Sequence, residues 1–180
     1  ECCRLSPRKY PSMNKIVSAA IAGLLLLMPA TAGAEDLAKP VGDVILTVTG
    51  SITNTNASGA ATFDLAMLEA LPGQETTTTT PWYDGAQSFA GPLGNALLLA
   101  VGATGETLVV TAINDYVTEI PLSDFETWPV ILATRHNGEA MSVREKGPIF
   151  VIYPFDSDEA LNTEVYYGRS AWQVKSIEVR

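Results

Sequence analysis

The sequence predicts an α+β domain in which mixed sheets dominate and the helices are short. Short runs rich in β-branched residues, Val44–Thr49, Leu108–Ile113, Pro129–Thr134 and Pro148–Tyr153, have the length and composition of strands rather than helices. Helical patterns are fewer, and the clearest, Leu65–Leu71 and Leu93–Val101, are short. Neither an internal repeat nor a linker interrupts the pattern, so one domain over 35–180 is expected.

Taken in order, Val44-Ile-Leu-Thr-Val-Thr49 reads as the first strand, ended by Gly50. Ser51–Gly59, with two Asn and a Gly, reads as a polar loop. Asp64 is placed to cap a two-turn helix over Leu65–Leu71 that stops at Pro72-Gly73. Gln74–Pro81 contains five consecutive threonines, all β-branched, and is expected to be a strand. Trp82-Tyr-Asp-Gly85 and a Phe89-Ala-Gly-Pro92 turn lead to the helix at Leu93–Val101, which ends at Gly102. Leu108–Ile113 and Val117–Leu122 are strands joined through Asn114-Asp115-Tyr116, and Ser123-Asp124 begins a short turn or helix reaching Trp128. The last buried pair, Pro129–Thr134 and Pro148–Tyr153, frames a charged, turn-rich segment that includes Arg135, His136, Asn137-Gly138-Glu139, Arg144, Glu145 and Lys146-Gly147. Loops held between rigid strands often carry binding groups. Two solvated turns flanking a short edge strand would produce the same composition.

Met13-Asn-Lys15, an apolar stretch Ile16–Met28 and the small residues of Thr31-Ala-Gly-Ala34 together read as a signal peptide over 13–34, which implies export to the periplasm. Residues 1–12 precede Met13 and read as an upstream artefact. No stretch after Glu35 approaches the roughly 20 apolar residues of a membrane helix. Both cysteines, Cys2 and Cys3, lie in the leader, so 35–180 offers neither a disulfide nor a thiolate to ligate a metal or attack a substrate. With Arg4, Arg8, Lys9, Lys15 and Glu1 set aside, 7 basic and 19 acidic residues give a net charge of about −12. Such a surface repels nucleic acid and anionic headgroups. Gly102-Ala-Thr-Gly105 lacks the spacing and lysine of a phosphate-binding loop, and Gly91-Pro-Leu-Gly94 contains a proline where an N–H is needed.

The Ile131-Leu-Ala-Thr134 strand end, Asn137-Gly138-Glu139, Lys146-Gly147-Pro148 entering a strand, and the closing Arg169-Ser-Ala-Trp172-Gln-Val-Lys-Ser-Ile-Glu-Val179 follow one another in an order that resembles the molybdopterin-binding domain of the sulfite-oxidase type. The resemblance runs from Val44 to Val179 and implies that family's mixed-sheet fold. The enzymes of the family ligate molybdenum through a cysteine in the loop after the threonine strand. Here that region reads Thr76-Thr-Thr-Thr-Thr-Pro-Trp-Tyr-Asp84, so molybdenum is not expected. Small exported proteins of this fold that lack the cysteine resemble pterin-binding regulators, this sequence looks like one of them, and the resemblance implies a reduced pterin as ligand without redox chemistry. It also implies signalling to the periplasmic domain of an inner-membrane partner, a diguanylate cyclase/phosphodiesterase or a sensor kinase.

A pterin needs an aromatic face and several coplanar donors and acceptors. Trp82 and Tyr83 occupy the loop in place of the metal-ligating segment, and the neighbouring Asp84 carboxylate could accept from ring N–H groups. Asn114, Asp115 and Tyr116 sit at a strand end, where turn geometry alone also favours Asn and Asp. Arg169 and Trp172 lie where the family closes its cofactor site; the alternative for Arg169 is a surface arginine, and for Trp82 it is core packing. His136, the one histidine, is a candidate ligand contact and a poor metal ligand without a second His or Cys. No serine elbow or Cys–His pair suggests catalysis. Two other functions fit the same residues: an oxidoreductase component holding the molybdenum cofactor by another ligand, and a structural or interaction domain whose pocket is filled by side chains.

Overall fold

A computed structural model describes residues 37–180; the expected leader and the dozen residues before it lie outside the described residues. Strands β1 (Leu46–Gly50) and β2 (Ala61–Phe63) pair antiparallel. Helix α1 (Leu65–Glu69) follows at once because Asp64 caps it, one carboxylate oxygen accepting from the Met67 N–H at 2.8 Å. The other oxygen accepts from the Gly42 and Val41 N–H groups at 2.8 and 2.9 Å, tying the preceding chain to the helix start. These donors, that of Gly42 foremost, hold the Asp64 carboxyl below the usual carboxylate range.

The threonine run forms β3 (Gly73–Thr80), with Thr76 and Thr78 inward and their neighbours outward, the two-residue period of a half-buried strand. It pairs with β4 (Tyr83–Pro92) through a tip at Pro81-Trp82. The Phe89–Pro92 segment is therefore strand, not the turn its Gly-Pro composition suggests. Gly91 has no Cβ, which would collide with the Leu132 carbonyl, and Pro92, which has no N–H to give, falls at the end of the ladder. Helix α2 (Gly94–Val101) ends at Gly102, whose φ of 59° closes it as expected.

Strands β5 (Thr107–Ala112) and β6 (Val117–Pro121) flank the Asn114–Tyr116 turn, and α3 (Leu122–Thr127) runs on from β6. After β7 (Ile131–Ala133), the charged segment is not an open loop. Arg135–His136 (β8) and Glu139–Ala140 (β9) make a small hairpin on Asn137-Gly138, both at positive φ, 49° and 85°. After β10 (Phe150–Ile152) come two 3₁₀ turns, Phe155–Ser157 and Glu159–Leu161. Helix α4 (Glu164–Arg169) precedes β11 (Val174–Val179), so Arg169 ends a helix rather than beginning the last strand.

The result is a sheet-rich α+β arrangement. The order β2-β1-β11-β5-β6 makes one mixed sheet, in which the C-terminal strand lies parallel to β1 and antiparallel to β5. A second sheet has the order β3-β4-β8-β9, and β7 and β10 form a two-stranded layer. That layer explains the continuous apolar runs seen in sequence. Val130, Leu132, Ile149, Val151 and Tyr153 enter the main core with the five-stranded sheet and the helices. The alternate residues Ile131, Ala133, Phe150 and Ile152 enter a second core with Phe89 and Met141. Strands covered on both faces need apolar side chains at every position. Among the described residues no helix is long and apolar enough to cross a membrane.

Candidate functional site

The two cores meet at Trp82. Carried on the β3–β4 tip, its indole packs edge-on against Phe150, Trp172, Tyr167 and Phe155, at centroid distances of 5.3, 5.8, 6.1 and 6.2 Å. Beside it opens a cavity of about 320 Å³. Three segments complete its wall: the β5–β6 turn with Asn114 and Tyr116, helix α4 with Glu164, Tyr167 and Gly168, and the Ser170–Trp172 stretch that enters β11.

Each segment is held by identifiable bonds. The Tyr116 hydroxyl donates to the Gly168 carbonyl at 2.9 Å, joining the turn to α4. Asn114 Oδ1 accepts from the Tyr116 N–H at 3.2 Å, an Asx turn that leaves the amide NH₂ without a bond to any described residue. Ser170 Oγ donates to the Tyr166 carbonyl at 2.9 Å, so its hydroxyl is used within the helix end. The Glu164 carboxylate, at the exposed first turn of α4, makes neither a hydrogen bond nor an ion pair with another described residue. The cavity thus combines aromatic walls with one anionic acceptor and one amide donor.

Four of the residues expected from sequence, Trp82, Asn114, Tyr116 and Trp172, line this cavity. The other five lie elsewhere. His136 stacks on Phe89 at 5.0 Å with 15° between the rings, lies 4.6 Å from Tyr83, and places Nε2 3.1 Å from Gln87 Oε1. Its position follows from the β4–β8 register, which sets it opposite Phe89. Tyr83 belongs to the same cluster, where burial, with Glu145 adding, pushes its phenol above the ordinary value. Asp84 is exposed on the hairpin, and its carbonyl accepts from Gln87 Nε2 at 2.8 Å. Asp115, at φ 63°, is a turn residue whose carboxylate meets Lys175 Nζ at 2.7 Å, and that bond keeps its carboxyl below the usual range.

Arg169 turns inward. Its Nη1 donates to Asp124 Oδ2 at 2.9 Å, and the same oxygen accepts from the Tyr153 hydroxyl at 2.7 Å. Asp124 is buried in α3 and Tyr153 is fully buried at the end of β10. Burial, reinforced by the Asp124 carboxylate, pushes the Tyr153 phenol far above its ordinary value. The guanidinium therefore fastens the end of α4 to α3 and β10, while its neighbours Gly168 and Ser170 form cavity wall.

Sequence reasoning missed Glu164, Tyr167 and Gly168 because it placed no helix before Arg169. The available signal was Thr163-Glu164, a capping residue followed by a first-turn acid. Among the described residues no group of three or more His, Cys, Asp or Glu is placed to hold a metal. No known protein family and no characterised protein matches this chain.

Proposed function

We propose that this chain is a periplasmic sensor of the sulfite-oxidase-type fold that binds a reduced pterin in the Trp82–Trp172 cavity, without molybdenum chemistry. The observation that carries the reading is the cavity itself. Its volume of about 320 Å³ falls at the small end of the range for ligand pockets, roughly 300–1,000 Å³, and suits a bicyclic ring. Its indole and phenol walls offer apolar aromatic surface, and Asn114 and Glu164 add polar groups to the lining. Residues 35–180 contain no cysteine, so the family's metal-ligating thiolate has no counterpart.

Signalling would run through linkage to the periplasmic domain of an inner-membrane partner, a diguanylate cyclase/phosphodiesterase or a sensor kinase. Occupancy biases a partner only if docked and undocked states bind the ligand differently. Of the two polar segments that could form a moving rim, Asp156–Thr163 leads directly into the cavity helix α4. Ser51–Gly59 is bonded instead to the end of α2, through the Thr53 and Asn54 N–H groups on the Val101 carbonyl.

Titration of the chain with a reduced pterin, followed by indole quenching, tests the reading. One-to-one saturable binding is expected, weakened about tenfold by Trp172→Ala, the scale of one aromatic stacking contact. Absence of binding by protein with a native circular dichroism spectrum would refute it.

A further inference from the structure

The polar groups of the cavity are unequal, and their asymmetry points to one edge of the ligand. The Glu164 carboxylate supplies two acceptor oxygens and no donor. Asn114 is the donor of the two, since its carbonyl oxygen already accepts from the Tyr116 N–H at 3.2 Å while both N–H groups of its NH₂ make no bond to a described residue. Both side chains line the same aromatic-walled cavity.

We infer that Glu164 and Asn114 read a 2-amino-4-oxopyrimidine edge, so that the cavity selects rings carrying that edge over 2,4-dioxo rings. This rests on the reading of the cavity as a site for a flat heterocycle. A carboxylate in the ring plane accepts from the 2-amino group and the adjacent ring N–H as a pair, the strong charge-assisted arrangement. The Asn114 NH₂ donates to the 4-oxo oxygen. Exchange of the 2-amino group for oxygen turns one of those bonds into a contact between two acceptors.

A carboxylate among aromatic rings could also hold an alkylammonium ion. Here the Lys146 ammonium already lies 4.9 Å from the centroid of Trp172 and 5.5 Å from that of Tyr83. A resident cation on Trp172 opposes a second one at the same ring, which favours a neutral heterocycle.

The test measures dissociation constants for pterin and lumazine, both in the reduced dihydro form, and for guanine and choline, on the chain and on the Glu164→Ala, Glu164→Gln and Asn114→Ala variants. Glu164 is exposed and unbonded to its neighbours, so its variants are expected to fold normally. Wild type should prefer pterin over lumazine by about 10- to 100-fold, the worth of hydrogen bonds to a charged group. Glu164→Ala should abolish that preference, Glu164→Gln should retain part of it, and Asn114→Ala should weaken both pteridines together. Equal affinity for pterin and lumazine, a preference that survives Glu164→Ala, or choline as the tightest ligand overturns the inference while leaving the cavity a binding site. Guanine binding more tightly than pterin supports the edge assignment and overturns the pterin reading. Failure of all four ligands on folded protein overturns both.

Discussion

Substitution of Asp124 by alanine strips the acceptor from two donors at once. The Tyr153 hydroxyl is fully buried and has no other partner among the described residues, and the Arg169 side chain keeps 22% of its surface exposed. Removal of one member of a buried pair costs about 3–5 kcal/mol, and the partial solvation of Arg169 places this case near 3. Against a total stability of roughly 5–15 kcal/mol that is a large fraction, equivalent to about 10 °C in Tm for a domain of this size. Tyr153→Phe removes a donor but leaves the ion pair, so it should cost only about 1–2 kcal/mol. In Asp124→Ala/Tyr153→Phe the orphaned hydroxyl is gone, and the double variant should cost less than the two singles together by about 1 kcal/mol or more. Urea unfolding, followed by circular dichroism, measures all three. Strict additivity, or an Asp124→Ala cost below about 1 kcal/mol, would show that these bonds do not hold α4 to α3 and β10.

Two further outcomes follow from the same structure. The Tyr153 phenol is raised in the folded state, so its contribution is complete below the unfolded value near pH 10 and is lost above it, at about 1.4 kcal/mol per pH unit for this one group; Tyr153→Phe should make the fall in stability shallower in alkaline urea titrations, leaving the part due to the likewise raised Tyr83. The Asp64 carboxyl is lowered, so its contribution is present above pH about 4 and lost in acid; the stability gap between wild type and Asp64→Ala should be widest near neutrality and narrow as pH falls through that value.

Most strands were legible from short length and β-branched composition rather than from alternation. The threonine run carries no period in its residue types although Thr76 and Thr78 point inward at two-residue spacing, and β7 and β10 are apolar throughout because two cores claim alternate residues. The α1 cap at Asp64 and the α2 stop at Gly102 were equally local and equally readable. The Phe89–Pro92 strand was obscured because Gly and Pro serve there as edge and close-approach residues, a role fixed by the Leu132 carbonyl some forty positions away. The site was half legible for a related reason. Trp82, Asn114, Tyr116 and Trp172 announce themselves by residue type at strand ends. Glu164 carries no such mark, and Arg169 looks like a ligand donor until the fold brings Asp124 to it.

The two sides of the cavity are held with unequal firmness, and this bears on how occupancy could be reported. On one side, Ser170–Trp172 lies between the Arg169–Asp124–Tyr153 cluster and β11, the middle strand of the five-stranded sheet. Displacement there breaks a buried ion pair. On the other side, the Asn114–Tyr116 turn is joined to α4 by the Tyr116–Gly168 hydrogen bond, a neutral and exposed link worth about 1 kcal/mol. Binding energy of a few kcal/mol can shift the second contact and not the first. Under the proposed function, a ligand-dependent change of state would start at this link between the β5–β6 turn and α4, the helix into which Asp156–Thr163 leads, while the Asp115–Lys175 pair keeps the turn itself tied to β11.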